Sequence, residues 1–222
     1  MMPFTVTREY VDDLFKNKPK MKPDRIHRAP EVGIVNGLYA TTSGIGGLTP
    51  IQVMKYPSEK MLDLTITGQQ GEVMKESVNY ALRIAYNILP DEVKNKIIED
   101  ANNKRNFGLL VHAPDAATKK DGPSAGTAMT IALYSALTGK KIDNTVAMTG
   151  EIDLWRNVKK IGGLHAKLTG AKMAGVKKAL IPMENLEDLM IMRNDNISPE
   201  DDNFVVETIE TFEDAVKHCI ID

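Results

Sequence analysis

Hydrophobic and polar positions along the chain keep two different rhythms, and the change comes at Val32. Before it, residues 16 to 31 interleave Lys16, Lys18, Lys20, Lys22, Arg25 and Arg28 with Pro19, Pro23 and Pro30 and hold neither a helical nor a strand period. That texture predicts a solvated connector or arm. From Val32 onward, apolar and β-branched runs predict strands over 32–41, 48–56 and 61–67, separated by Ser43-Gly44-Ile45-Gly46-Gly47 and by Pro57-Ser58. These three strands are expected to be antiparallel. Val73, Met74, Val78, Ala81, Leu82, Ala85 and Ile88 then recur at three- and four-residue spacing, so residues 71–89 predict an amphipathic helix that Pro90 closes. A second short helix over 91–102 and an apolar strand over 107–113 follow.

Residues 123–137 are apolar almost all round, the pattern of a helix buried on most sides, with Gly139 as its stop. Beyond it the pattern predicts strands at 145–154, 158–161, 178–182 and 203–208, and helices at 163–175, 184–192 and 212–219. β units first and αβ units later predict a single α+β (mixed α/β) domain with about six helices. Its expected organisation is a connector over 1–31 and a domain over 32–222, without internal repeat.

Composition narrows the functional classes. Twenty-eight Lys+Arg against 30 Asp+Glu leave a net charge of −2, so no basic field exists to hold nucleic acid. A 42% hydrophobic content suffices for a real core; aromatics are only 5%, and 12 methionines share the filling. The single cysteine, Cys219, excludes an intrachain disulfide and a cysteine zinc cluster, which favours a reducing compartment: the cytoplasm, or the mitochondrial matrix. No stretch approaches the ~18 consecutive apolar residues that span a bilayer, and no signal peptide opens the chain.

Candidate chemistry begins at Gly122-Pro123-Ser124-Ala125-Gly126, which sets a serine in the first turn of the buried helix. Backbone amides there are unpaired and the helix dipole is positive, so the N–H groups of Gly122, Ser124 and Ala125 are candidates to hold an oxyanion. A serine at a helix start is also an ordinary cap. As a nucleophile it needs a base, and the candidates are His27, His112, His165, His218 and the lysines. G-x-S-x-G also fits the nucleophile elbow of α/β-hydrolases, for which His218 would stand in the right order. That elbow requires a strand running straight into the serine, whereas 115–121 is a polar loop. Lys167 is the other base: Leu164, Leu168, Ala171, Ala174 and Gly175 share one face of its helix, and Lys167 lies at that face's edge. A lysine pressed on an apolar wall loses hydration and becomes a neutral amine more readily, although such a lysine can also snorkel to water.

The run Lys120-Asp121-Gly122-Pro123-Ser124-Ala125-Gly126, followed by Met148-Thr149-Gly150-Glu151-Ile152, Ile161-Gly162-Gly163-Leu164 and Lys167, resembles the proteolytic domain of the Lon protease family. Further blocks agree in order: Gly37-Leu38, Thr67-Gly68, 71–77, 111–114 and Leu180-Ile181-Pro182 with Glu184-Asn185. The resemblance implies a serine endopeptidase with a Ser-Lys dyad, Ser124 as nucleophile and Lys167 as general base. It implies supporting places for Thr149, Asp121, His112 and Glu151, and a hexameric ring acting on unfolded proteins or peptides. No cofactor is implied for this stretch. ATP and Mg would enter only through an AAA+ ATPase module lying N-terminal to it, and residues 1–31 resemble the end of such a module. No G-x-x-x-x-G-K-[ST] phosphate loop occurs, and 222 residues leave room for the protease but not for that motor. The pattern departs at His165-Ala166, where a Lys-Glu pair is usual, and at Arg156 and Lys160, for a glycine and a proline, with Asn157 expected to take the turn's left-handed geometry. Ala116 and Lys119 likewise replace a glycine and a proline in the loop before the serine. The rival readings are a non-catalytic ring-assembly module and a Ser-His-acid hydrolase using His112 or His218.

Overall fold

In a computed structural model that describes residues 5–18, 24–114 and 120–221, the apolar runs assemble mainly into one seven-stranded sheet. Thr7 caps a first helix, α1 (Arg8–Leu14). There follow β1 (Glu31–Val32), β2 (Ile34–Ala40), β3 (Gly46–Pro57), β4 (Asp63–Thr67), α2 (Glu72–Asn87), α3 (Asp91–Asn102) and β5 (Phe107–His112). A 3-10 turn, Pro123–Ala125, leads into α4 (Gly126–Thr138). The remainder is β6 (Lys141–Ile142), β7 (Val146–Met148), β8 (Glu151–Ile152), β9 (Val158–Lys159), α5 (Leu164–Met173), β10 (Lys178–Pro182), α6 (Leu186–Asn194), β11 (Val205–Ile209), α7 (Phe212–Cys219) and β12 (Ile220–Ile221).

The large sheet runs β11-β10-β7-β2-β3-β5-β4, with β1-β6-β12 as a small second sheet and β8-β9 as a separate hairpin. β2, β3 and β5 are antiparallel neighbours; β7, β10 and β11 are parallel, joined to β2 by a parallel pairing. The mixed α/β class is thus the observed one.

Two expectations need correction. β4 does not join β3 but lies parallel to β5 at the sheet edge. The reason is burial: β5 carries Leu109 and Val111 fully inside, which suits an interior position, while β4 has no fully buried residue and exposes Thr65 and Thr67, which suits an edge. The long strand expected over 145–154 is two: Thr149 N makes the last ladder bond to β10, at Leu180 O, and Gly150 N turns instead to Ser124 O, which takes the chain out of the sheet.

Strand alternation sorts side chains onto two cores. Val35, Ile51, Val146, Met148 and Leu180 face α2, α4 and α7; Leu38, Leu48, Ala147, Ala179 and Ile181 face α5 and α6. α4 sits inside the first core with Ala128, Met129, Ile131, Ala132 and Leu133 fully buried. Each large aliphatic among them contributes on the order of 2 kcal/mol from area removed from water. Among the described residues, no helix is long and apolar enough to cross a membrane.

Residues 24–30 lie against the domain: Ile26 packs on the α5–α6 core, and Asp24, His27 and Pro30 are partly buried. Lys20, Lys22, Pro19 and Pro23 of the arm, and Ala116 and Lys119 of the loop before the serine, lie outside the described residues.

Candidate active site

Ser124 stands in the 3-10 turn that starts α4, after Gly122 (φ 119°) and Pro123. The turn is fixed by its own carbonyl: Ser124 O accepts from Gly150 N at 2.8 Å and from Thr149 Oγ1 at 3.1 Å, while Thr127 N returns a bond to Gly150 O at 3.0 Å. The start of α4 is therefore tied to the end of β7 and the root of the β8–β9 hairpin. Thr149 follows Met148 and lies on the opposite face of the strand, toward α5. It is fully buried.

Lys167 is brought to that point from α5. Its Nζ donates to Thr149 Oγ1 at 3.0 Å, and only 3% of the residue is exposed. Among the described residues it has no ion-pair partner, and burial alone drives its pKa from 10.5 down to about 8. One threonine hydroxyl thus accepts from the amine of Lys167 and donates to the carbonyl of Ser124. No direct hydrogen bond joins Ser124 Oγ to Lys167 Nζ; Thr149 stands between the two residues.

What holds α5 in place is mostly backbone. Gly46 at the start of β3 and Gly170 on α5 meet without side chains: a Cβ on Gly46 would fall inside the carbonyl of Ala166 and 2.8 Å from Lys167 N, and one on Gly170 would overlap Gly46. At the helix's other approach, the fully buried Asn185 accepts from Ile161 N at 3.0 Å and donates to Ile161 O at 2.9 Å. That pair sets the course of Gly162-Gly163 into α5, where Gly163 takes φ 69°.

The remaining residues singled out by sequence fall in several places. Asp121 Oδ1 accepts from Met74 N at 3.1 Å, capping the third amide of α2, and from Gly122 N at 3.0 Å. Of the three oxyanion candidates, the Gly122 amide is therefore occupied by a neighbouring carboxylate, which leaves Ser124 and Ala125 on the turn. His112, the last residue of β5, pairs its Nδ1 with Thr67 Oγ1 at 2.8 Å. Glu151 opens β8 and lies close enough to Tyr80 for its charge to push the phenol pKa up, behind the larger effect of burial. His218 is elsewhere: its Nδ1 is 2.8 Å from Glu207 Oε2, and it shares a dent with Asp143, Thr145 and Lys177 at the N-terminal ends of β7 and β10. Ser124 contacts the opposite end of β7.

His165 is exposed on α5, and His27 is in the arm, its carbonyl accepting from Asn144 Nδ2 at 2.6 Å. In the hairpin beside the site, Arg156 and not Asn157 takes the left-handed conformation (φ 74°). Asp153 is the cause, since its carboxylate binds Trp155 N, Asn157 N and Asn157 Nδ2 and closes the loop around that geometry.

Sequence reading missed the Gly46–Gly170 contact, the Asn185 clamp and the docking of Asp24. For Asn185 a signal existed, its place in a motif block; for the glycines only their identity was visible.

Comparison with known proteins agrees over nearly the whole chain. Residues 5–221 match the family described as Lon protease (S16) C-terminal proteolytic domain. A Lon protease homolog of Acanthamoeba polyphaga mimivirus is 46% identical over 200 residues, covering 88% of this chain and 19% of its own length. The Lon proteases of Lachnoclostridium phytofermentans and Campylobacter jejuni are 41% and 38% identical, each across 93% of this chain and 24% and 26% of theirs. The chain thus spans about a quarter or less of the length of these relatives.

Proposed function

Because this chain belongs to the Lon protease family, matching its C-terminal proteolytic domain, we propose that it is a serine endopeptidase working through a Ser124–Lys167 dyad. The observation that carries this reading is the placement of Lys167: buried, without a counter-charge among the described residues, titrating near 8 and linked through Thr149 to the residue that bears the hydroxyl. A lysine with an ordinary pKa would be protonated at neutral pH and could not accept the serine proton. One brought to about 8 has roughly a tenth of its population neutral at pH 7, enough to act as a base.

In the proposed sequence, the neutral amine of Lys167 takes the proton of Ser124 Oγ as the oxygen attacks the scissile carbonyl. Amides of the 3-10 turn face the developing oxyanion, with Ser124 and Ala125 as donors. The lysine ammonium then protonates the leaving amine. Water, deprotonated by the same lysine, adds to the ester carbonyl, and Ser124 Oγ leaves as the lysine ammonium returns that proton to it. Thr149 keeps Nζ where both transfers can occur. Substrates are unfolded chains or peptides, and a homo-oligomeric ring and coupling to an ATP-driven unfoldase belong to the same proposal.

Labelling with a fluorophosphonate, read by mass spectrometry with sedimentation in parallel to follow assembly, tests it. Label is expected on Ser124, absent in Ser124→Ala and nearly absent in Lys167→Met. Wild-type labelling by the Lys167→Met chain refutes the dyad.

A further inference from the structure

Residues 24–27 cross from one half of this site to the other and are fastened at three points. Leu48 N, near the start of β3, donates to Asp24 Oδ2 at 3.2 Å. Ile26 N donates to Ala174 O, just past the end of α5, at 3.2 Å, and its side chain packs against the α5–α6 core. Asn144 Nδ2, just ahead of β7, donates to His27 O at 2.6 Å, while Asn144 O and Val146 O both accept from the buried Asn36 Nδ2 at 3.0 Å. The strap therefore grips β3 and α5 with one end and the approach to β7 with the other. These elements carry the two partners of the central hydrogen bond: Lys167 is on α5, and Thr149 ends β7.

The grip on β3 is passed to α5 without slack. Gly46 and Gly170 put the two backbones in direct contact beside Lys167, so β3 cannot shift there without moving the helix. Asp24 is also the one acidic residue between positions 14 and 30, in a stretch otherwise rich in lysine and arginine. Its partly buried carboxylate supplies the acceptor that the Leu48 amide would otherwise lack.

We propose that Asp24 is a positioning residue for Lys167, holding β3 and, through the glycine contact, α5 at the distance from β7 that the lysine–threonine bond requires. The catalytic consequence rests on the Ser-Lys reading above, while the mechanical coupling does not. Without the carboxylate, the start of β3 relaxes, α5 loosens and water reaches the amine. Since burial alone lowers the basicity of Lys167, hydration restores it and leaves less neutral base at pH 7.

The test compares Asp24→Ala and Asp24→Asn in the 222-residue chain by amide hydrogen exchange over residues 164–170 and by fluorophosphonate labelling against pH. Asp24→Ala is expected to speed exchange in α5, slow labelling at pH 7 by about tenfold or more, the range of one lost hydrogen bond to a charged group, and move the labelling midpoint upward. Asp24→Asn keeps an oxygen that accepts from Leu48 N and is expected to restore both. Asn144→Ala, which frees the other end, should move both readouts in the same direction and serves if Asp24→Ala folds poorly. A folded Asp24→Ala chain with unchanged α5 exchange overturns the coupling; faster exchange with unchanged labelling rate and midpoint overturns the positioning role. Failure of the Ser-Lys reading is seen separately, as Lys167→Met labelling like wild type.

Discussion

Replacing Lys167 with methionine tests, through stability, the burial that lowers the basicity of this lysine. In the folded chain the amine titrates at about 8 against an ordinary 10.5, so its proton is held about 2.5 powers of ten more weakly, and at 1.36 kcal/mol per factor of ten this is about 3 kcal/mol. Below pH 8 the folded and unfolded chains both carry the proton, and the fold bears that whole cost. Between about 8 and 10.5 the unfolded chain holds a proton that the folded chain has shed, so stability rises with pH; above 10.5 the cost is gone. Methionine has no charge to bury and a flexible thioether that fills similar space. It forfeits the hydrogen bond to Thr149, about 1 kcal/mol. Lys167→Met is therefore expected to be about 2 kcal/mol more stable than wild type at pH 7, with the advantage shrinking through the interval above and turning into a deficit of about 1 kcal/mol near pH 11. Urea unfolding followed by far-UV circular dichroism measures it, since the single tryptophan, Trp155, is 77% exposed and reports poorly on unfolding. A variant less stable than wild type at pH 7, or an advantage independent of pH, would show that the ammonium is not desolvated and refute the reasoning.

Labelling of Ser124 should increase as pH rises through about 8 and level off above it, because the neutral amine is the active form; a rate flat between pH 6 and 9 contradicts Lys167 as base. Thr149→Val keeps the branched shape but removes the hydroxyl between Lys167 and Ser124 O, and is expected to slow labelling at pH 7 by about tenfold or more through lost positioning. Gly46→Ala places a methyl against the Ala166 carbonyl and should cost about 1–3 kcal/mol or more of stability along with most labelling. Gly162→Ala, which meets nothing within 4 Å, is the control, expected within about 0.5 kcal/mol of wild type by urea unfolding.

How much of this was legible in sequence depends on what each contact requires. The helices over 71–89, 91–102 and 123–137 could be read because burial of one face, or of all faces, must appear as a period in the residues themselves. Ser124 and Lys167 stood out through the motif blocks around them, since position alone read equally as a helix cap and a helix-edge lysine. Alternation could set Thr149 on the face opposite Val146 and Met148, while its place beside the lysine was implied only by the family resemblance. Strand order was not legible to the same degree. β4 and β5 are separated by two helices, and nothing local says that β5 inserts between β3 and β4; the difference in how deeply the two strands are buried decides it only once the sheet exists.

The environment that lowers the pKa of Lys167 was the least legible part, and the reason is physical. Its lowered pKa comes from burial, with no counter-charge among the described residues, so no partner residue announces it. The close approach of α5 to β3 is made by Gly46 and Gly170, where the sequence reports only that a side chain is missing and not which backbone fills the gap. Asp24 adds the same lesson from the opposite direction. A carboxylate among lysines and prolines reads as one more solvated charge, yet its bond is to a backbone amide, and any chain that brought an N–H to that point would have served. Identity-dependent chemistry leaves motifs, whereas the shape-dependent contacts that tune it do not. Substitutions at Asp24, Gly46 and Asn144 therefore probe what the Ser124 and Lys167 motifs alone cannot specify: how strongly the base holds its proton.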